Sequence, residues 1–117
     1  MKAKVKSFDL GGTVGVFEYV PEDQDCFCLW MTFVIGSVVS DGGDYFRLMI
    51  CTPGWLKNNL AYMSWGRHML IVNDGYKPQS IIDYVGEFLA SLDEKDWPAL
   101  AAKISRVMEW EFEDYKN

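Results

Sequence analysis

Cys26-Phe27-Cys28-Leu29-Trp30-Met31-Thr32-Phe33-Val34-Ile35 is the stretch on which the fold turns. Alternate residues of a strand point to opposite faces. One face therefore carries Cys26, Cys28, Trp30, Thr32 and Val34, and the other Phe27, Leu29, Met31, Phe33 and Ile35. Both are apolar, so the pattern predicts a central strand, running on to Val39 and covered on each side. Ser40-Asp41-Gly42-Gly43-Asp44 follows with residues that tolerate positive φ, which is hairpin chemistry. Tyr45 to Cys51 is the return strand, apolar except for Arg47.

Outward from this hairpin the signals stay local. Upstream, Ala3, Val5 and Ser7 alternate with Lys2, Lys4 and Lys6, a period of two that suits a strand with one wet face. From Phe8 to Asp25 the pattern dissolves among Gly11, Gly12, Gly15 and Pro21, which predicts a long loop with a short extended piece at Val14 to Val20. Downstream, Thr52-Pro53 reads as a helix start. The hydroxyl can cap an orphan amide, and proline at the first position gives up a hydrogen that had no partner. This helix is short, ending near Asn58-Asn59. Met69 to Val72 is a fourth strand, closed by Asn73-Asp74-Gly75.

Ile81, Ile82, Val85, Phe88, Leu89 and Leu92 then form one stripe of a 3.6 period. Asp96 caps a last helix whose apolar face is Trp97, Leu100, Ala101, Ile104, Val107 and Met108. Strands first and helices last define an α+β fold. The expectation is an antiparallel sheet of four or five strands with two C-terminal helices packed on one face. After the last helix, Glu109 to Tyr115 reads as an extended tail, because four carboxylates at a helix C-terminus oppose its dipole. Trp110 and Phe112 would point inward, with Glu109, Glu111 and Glu113 in an outward row.

Length and charge narrow the function. At 117 residues the chain fits one domain, residues 1–117. Eleven Lys and Arg against seventeen Asp and Glu give a net charge of −6. Nucleic-acid binding needs clustered cations to displace counterions, and anionic lipid needs the same, so neither direct nucleic acid nor membrane is an expected partner. A basic protein is favoured by long-range attraction, with plain solubility as the bland alternative. The longest apolar run, Cys26 to Ile35, is half the ~20 residues a spanning helix needs. Lys2-Ala3-Lys4-Val5-Lys6 is no secretory signal, so the cytoplasm is the expected compartment.

Sites of chemistry are scarce. His68 is the one histidine, so any Ser-His-Asp or Cys-His arrangement must pass through it, and no serine sits in a Gly-x-Ser-x-Gly elbow. A structural imidazole at a strand edge is the better reading, a small hydrolase using His68 the weaker one. Cys26-x-Cys28 lacks the spacing of a zinc knuckle, and Gly11-Gly12-Thr13-Val14-Gly15 lacks the ending of a phosphate loop and reads as a flexible connector. No metal or cofactor is expected. The carboxylates lie in polar runs, where a solvated face is the default. As a surface they are the candidate binding residues: Glu109, Glu111, Glu113 and Asp114 in the tail, Glu22, Asp23 and Asp25 in the long loop, and Asp41 and Asp44 in the hairpin turn.

Three patches carry a resemblance: Cys51-Thr52-Pro53 with Trp55-Leu56, Gly66-Arg67-His68 with Leu70-Ile71-Val72, and Trp110-Glu111-Phe112-Glu113-Asp114-Tyr115. Phe27, Leu29, Ile35 and Gly36 in the long strand, and Trp97 before the last helix, agree with it. In this order they resemble the immunity protein 8 family of bacterial polymorphic toxin systems. The resemblance implies an α+β protein encoded beside a toxin, protecting its producer by binding the cognate toxin domain. It implies no catalytic residues. Thr52, Pro53, Trp55, Gly66 and Trp97 read as fold determinants and not as toxin contacts. The surviving alternatives are the His68 hydrolase and an oligomerisation or regulatory module, in which the doubly apolar strand would lie against a second subunit. Monomer and homodimer both remain open.

Overall fold

The computed structural model describes residues 1–114. Five strands and three helices follow one another as β1 (Ala3–Asp9), β2 (Cys28–Ser37), β3 (Asp44–Cys51), α1 (Pro53–Asn59), β4 (Met69–Ile71), α2 (Pro78–Ala90), α3 (Trp97–Ile104) and β5 (Glu109–Trp110). The strand order is β1-β2-β3-β4, with β5 also paired to β3. The fold is α+β, as its sequence order implies.

The β2–β3 hairpin is in the predicted place, although Val38 and Val39 fall in the turn. Glycine at the turn is obligatory. A Cβ on Gly43 would lie 2.5 Å from the Ile35 carbonyl oxygen. The sheet is mixed: β1–β2, β2–β3 and β3–β5 are antiparallel, and β4 joins β3 in parallel. The reason is the connection. A hairpin reverses the chain, whereas α1 and the segment after it carry the chain back to the level of Met49, from which β4 runs alongside the last residues of β3 in the same direction. β5 and β4 share the edge of β3 that β2 leaves open, β5 at Phe46 and Arg47 and β4 from Met49 to Cys51.

The core fills one face of this sheet. Met31, Phe33, Ile35, Phe46 and Ile50 are fully buried there, against Ile81, Val85 and Leu89 of α2 and Leu100, Ala101 and Ile104 of α3. Each side chain of this size contributes ~1.5–3 kcal/mol by leaving water. The expected coverage of β2 on both sides does not occur. Its second face is exposed at Trp30 and half-buried at Thr32 and Val34. On that same face the exposed Arg47 lies opposite Thr32, a charged side chain that suits a face left to water.

Local caps behave as the chemistry requires. The Thr52 hydroxyl accepts from the Trp55 amide at 3.2 Å, and Asp96 accepts from the Ala99 amide at 3.0 Å. The glycine-rich segment before β2, expected to be a flexible connector, is pinned. Glu18 and Tyr19 amides turn back to the Gly15 carbonyl, so no extended piece forms at 14–20. Val16 is buried, and its carbonyl accepts the Tyr76 hydroxyl at 2.6 Å. Tyr76 also meets the rings of Tyr19 and Phe27 edge-on at 5.4 and 6.0 Å, and burial pushes its phenol pKa up.

Candidate binding surface

The strand registers arrange the uncovered face in rows. Asp9, Thr32, Arg47 and Glu109 form one row across β1, β2, β3 and β5. Ser7, Val34 and Tyr45 form the next on one side. Trp30, Met49 and Met69 lie on the other side, with Cys28, Cys51 and Ile71 beyond them. Trp30 is 38% exposed, Tyr45 54% and Ile71 50%. The Arg47 guanidinium sits 4.5 Å from the centre of the Trp30 ring while its Nη2 bonds Glu109 at 2.7 Å. A cation held between an indole face and a carboxylate is fixed in orientation. Trp, Tyr and Arg are the side chains that carry most binding energy at protein interfaces.

The outermost row is chemically quiet. Cys28 and Cys51 are register partners and both are free thiols. Burial, then the neighbouring Cys28, pushes the Cys51 pKa up to about 11, and burial raises Cys28 as well. Protonated thiols are poor nucleophiles and poor metal ligands.

A second exposed apolar feature was missed by sequence reasoning. Tyr62, Met63 and Trp65, between α1 and β4, stand essentially in solvent at 100%, 80% and 102% exposure. They carry no periodicity, so nothing marked them. Trp30 and Tyr45 were missed for another reason, being read as core. The signal that could have found them was Arg47, which two-residue alternation places on the same face as Tyr45.

The predicted acidic row takes a different form. The Glu111 amide still makes a ladder bond to the Tyr45 carbonyl, but the Tyr45 amide goes to the Glu111 carboxylate and the Glu113 amide turns back to the Trp110 carbonyl, so the strand ends after Trp110. Trp110 stacks on Phe46 at 6.2 Å, as an inward ring should. Phe112 meets the Trp110 ring edge-on and is 41% exposed. Glu109 is bonded to Arg47, Glu111 accepts the Tyr45 amide at 2.9 Å, and Glu113 is paired with Arg67. Asp114 is exposed in a left-handed conformation, φ 61°. Tyr115, which closes the third sequence patch, lies outside the described residues. Asp44 holds two indoles, accepting from Nε1 of Trp97 at 2.9 Å and of Trp110 at 3.0 Å. Asp41 is exposed in the hairpin turn, and Glu22, Asp23 and Asp25 are exposed on the pinned loop. The structure thus gathers Glu109 and Glu111 at the uncovered face and leaves Glu22, Asp23 and Asp25 elsewhere.

His68 is mostly buried, and its Nε2 donates to the Ser105 carbonyl at 2.9 Å. Its φ of 57° is a left-handed conformation that costs about 1–2 kcal/mol. The bond to Ser105 holds it, and its own carbonyl accepts the Met49 amide at 3.0 Å as the chain enters β4. Among the described residues, no three His, Cys, Asp or Glu side chains group to hold a metal. No helix among them is long and apolar enough to cross a membrane.

Fold and surface together define an α+β protein with one sheet face packed and the other open. Its family is also established: the sequence model of immunity protein 8 matches residues 3–115, nearly the whole chain, and the chain belongs to that family. No curated protein and no solved structure matches it.

Proposed function

We propose that this immunity protein neutralises a cognate toxin domain in the cytoplasm of the producing cell, by covering the toxin's active site with the open sheet face and the acidic surface around it. The observation that carries the reading is the uncovered face itself, where Trp30, Tyr45 and Arg47 stand exposed on a rigid sheet. A magnitude extends the footprint. Four rows and four strands span about 20 by 15 Å, some 300 Å², whereas a stable interface takes ~800 Å² from each partner. The contact therefore reaches beyond the face, onto the carboxylates of the tail beside it. A net charge of −6 fits a partner with a basic cleft, and a nuclease has one. Inhibition by occupancy asks no bond chemistry of the chain, in keeping with a lone imidazole that is engaged in holding a carbonyl.

The test is co-expression with the toxin domain encoded beside the gene. Growth should be restored by the parent chain and lost with Trp30→Ala combined with Tyr45→Ala, the double variant remaining folded. Killing that persists with every neighbouring toxin candidate would defeat the reading. Full protection by the double variant would move the contact off this face.

A further inference from the structure

The sheet has two outer edges, and the sequence treats them differently. β1 is blunted by Lys4 and Lys6 and by an irregularity in register between Val5 and Ser7, devices that discourage an added strand. β4 carries neither. Its residues are Met69, Leu70 and Ile71, and among the described residues no strand lies beyond it. The ladder shows which backbone groups are left. His68 and Val72 face β3, the first accepting the Met49 amide at 3.0 Å and the second donating to the Cys51 carbonyl at 2.9 Å. Alternation then turns the N–H and C=O of Met69 and Ile71 to the outer edge. Unpaired backbone donors and acceptors in apolar surroundings call for partners.

A groove runs along that edge, between β4 and α2. It consists of two cavities of about 380 and 510 Å³ that share Leu70 and Tyr84. Val72 and Ile81 line the first, and Phe88, Val107 and Met108 the second. Tyr84 is 61% exposed and divides them. Side chains two apart on a strand are ~6.6 Å apart on one face, which suits one residue on each side of the Tyr84 ring. The charge at the rim is negative. Glu87 lines the second cavity; the one lysine lining either, Lys77, is paired with Asp74, whose pKa that bond lowers. Beyond Gly75, Gln24 accepts the Tyr76 amide at 2.8 Å and so brings the Glu22-Asp23-Gln24-Asp25 run to that end of the groove.

We propose that the outer edge of β4 takes up an extended apolar segment with Lys or Arg at its ends, contributed by the toxin and bound as an added strand with alternate side chains in the two cavities. This rests on the immunity reading, and it adds a second point of attachment to the sheet face. Main-chain bonds to Met69 and Ile71 would give affinity, and the cavities either side of Tyr84 would give specificity.

Two arms test it. In the first, a random-peptide display library is selected on the purified chain. The expected binders alternate apolar residues between basic ends, slow amide exchange at Met69 and Ile71, and lose about tenfold or more in affinity on Ile71→Pro, which removes an outward donor and no ladder bond. Val107→Trp, which fills the second cavity from an exposed position, should weaken them equally should the proline variant fold poorly. Binders indifferent to both variants would overturn the proposal, as would a self-associated dimer that protects the same two amides. In the second arm the variants face the neighbouring toxin domain. Protection by the parent with unchanged affinity in both variants would overturn the edge site and leave the immunity function standing. No protection by the parent would instead remove the immunity reading, and with it the toxin as donor of the strand.

Discussion

Thr52 shows how much one side chain can hold. Its hydroxyl, 2% exposed, accepts the Trp55 amide that begins α1 and also the Phe27 amide at 3.1 Å, on the far side of the sequence from the helix it caps. Thr52→Val keeps the shape and removes both bonds, leaving a buried amide without a partner. The expected cost is about 1–3 kcal/mol, read as a lower urea midpoint with an unchanged slope. A midpoint equal to the parent's would mean that other acceptors take up those amides. The cap was legible in the sequence, because Thr-Pro before a helix is a local signal. The bond to Phe27 was not, since nothing within either segment announces the other. His68 divides in the same way. Its lack of a catalytic partner could be read from residue types, but its left-handed backbone depends on Ser105 and Met49 being near.

Among the elements, those governed by near neighbours were legible: the β2–β3 hairpin, α1, α2 and α3 all form where periodicity and capping place them. What failed was any property set by which element lies alongside. Periodicity cannot say that no layer covers the second face of β2, nor that β4 runs parallel to β3. The tail illustrates the limit best. Alternation of Trp110 and Phe112 with three glutamates predicts a longer strand, but Arg47 and Arg67 hold Glu109 and Glu113 and the chain turns between them. Asp44 is the element-scale counterpart of Thr52. A candidate contact in the sequence, it ties α3 and β5 to β3 through two indole N–H bonds. Asp44→Ala should therefore destabilise by about 1–3 kcal/mol, with a changed tryptophan emission and faster exchange of the Trp110 amide. If stability held and toxin affinity fell, Asp44 would be a contact after all.

At the scale of the molecule, the proposed recognition gives charge and aromatic surface separable work. Exposed carboxylates that no lysine or arginine among the described residues holds, such as Glu22 and Asp25, act at a distance and within a screening length of about 10 Å at 0.1 M salt. They should govern how fast a basic partner arrives. Tyr45 and Trp30 act only in contact, so they should govern how slowly it leaves. Glu22→Lys with Asp25→Lys is then expected to lower the association rate several-fold at low salt and by little at high salt, with dissociation unchanged. Tyr45→Ala should speed dissociation by about tenfold or more at either salt. Stopped-flow association with the toxin domain, followed by displacement, measures both. Should the charge pair alter dissociation instead, the loop that bears it touches the toxin, which would favour an approach along the β4 groove, since Gln24 fastens that loop to the turn at its end.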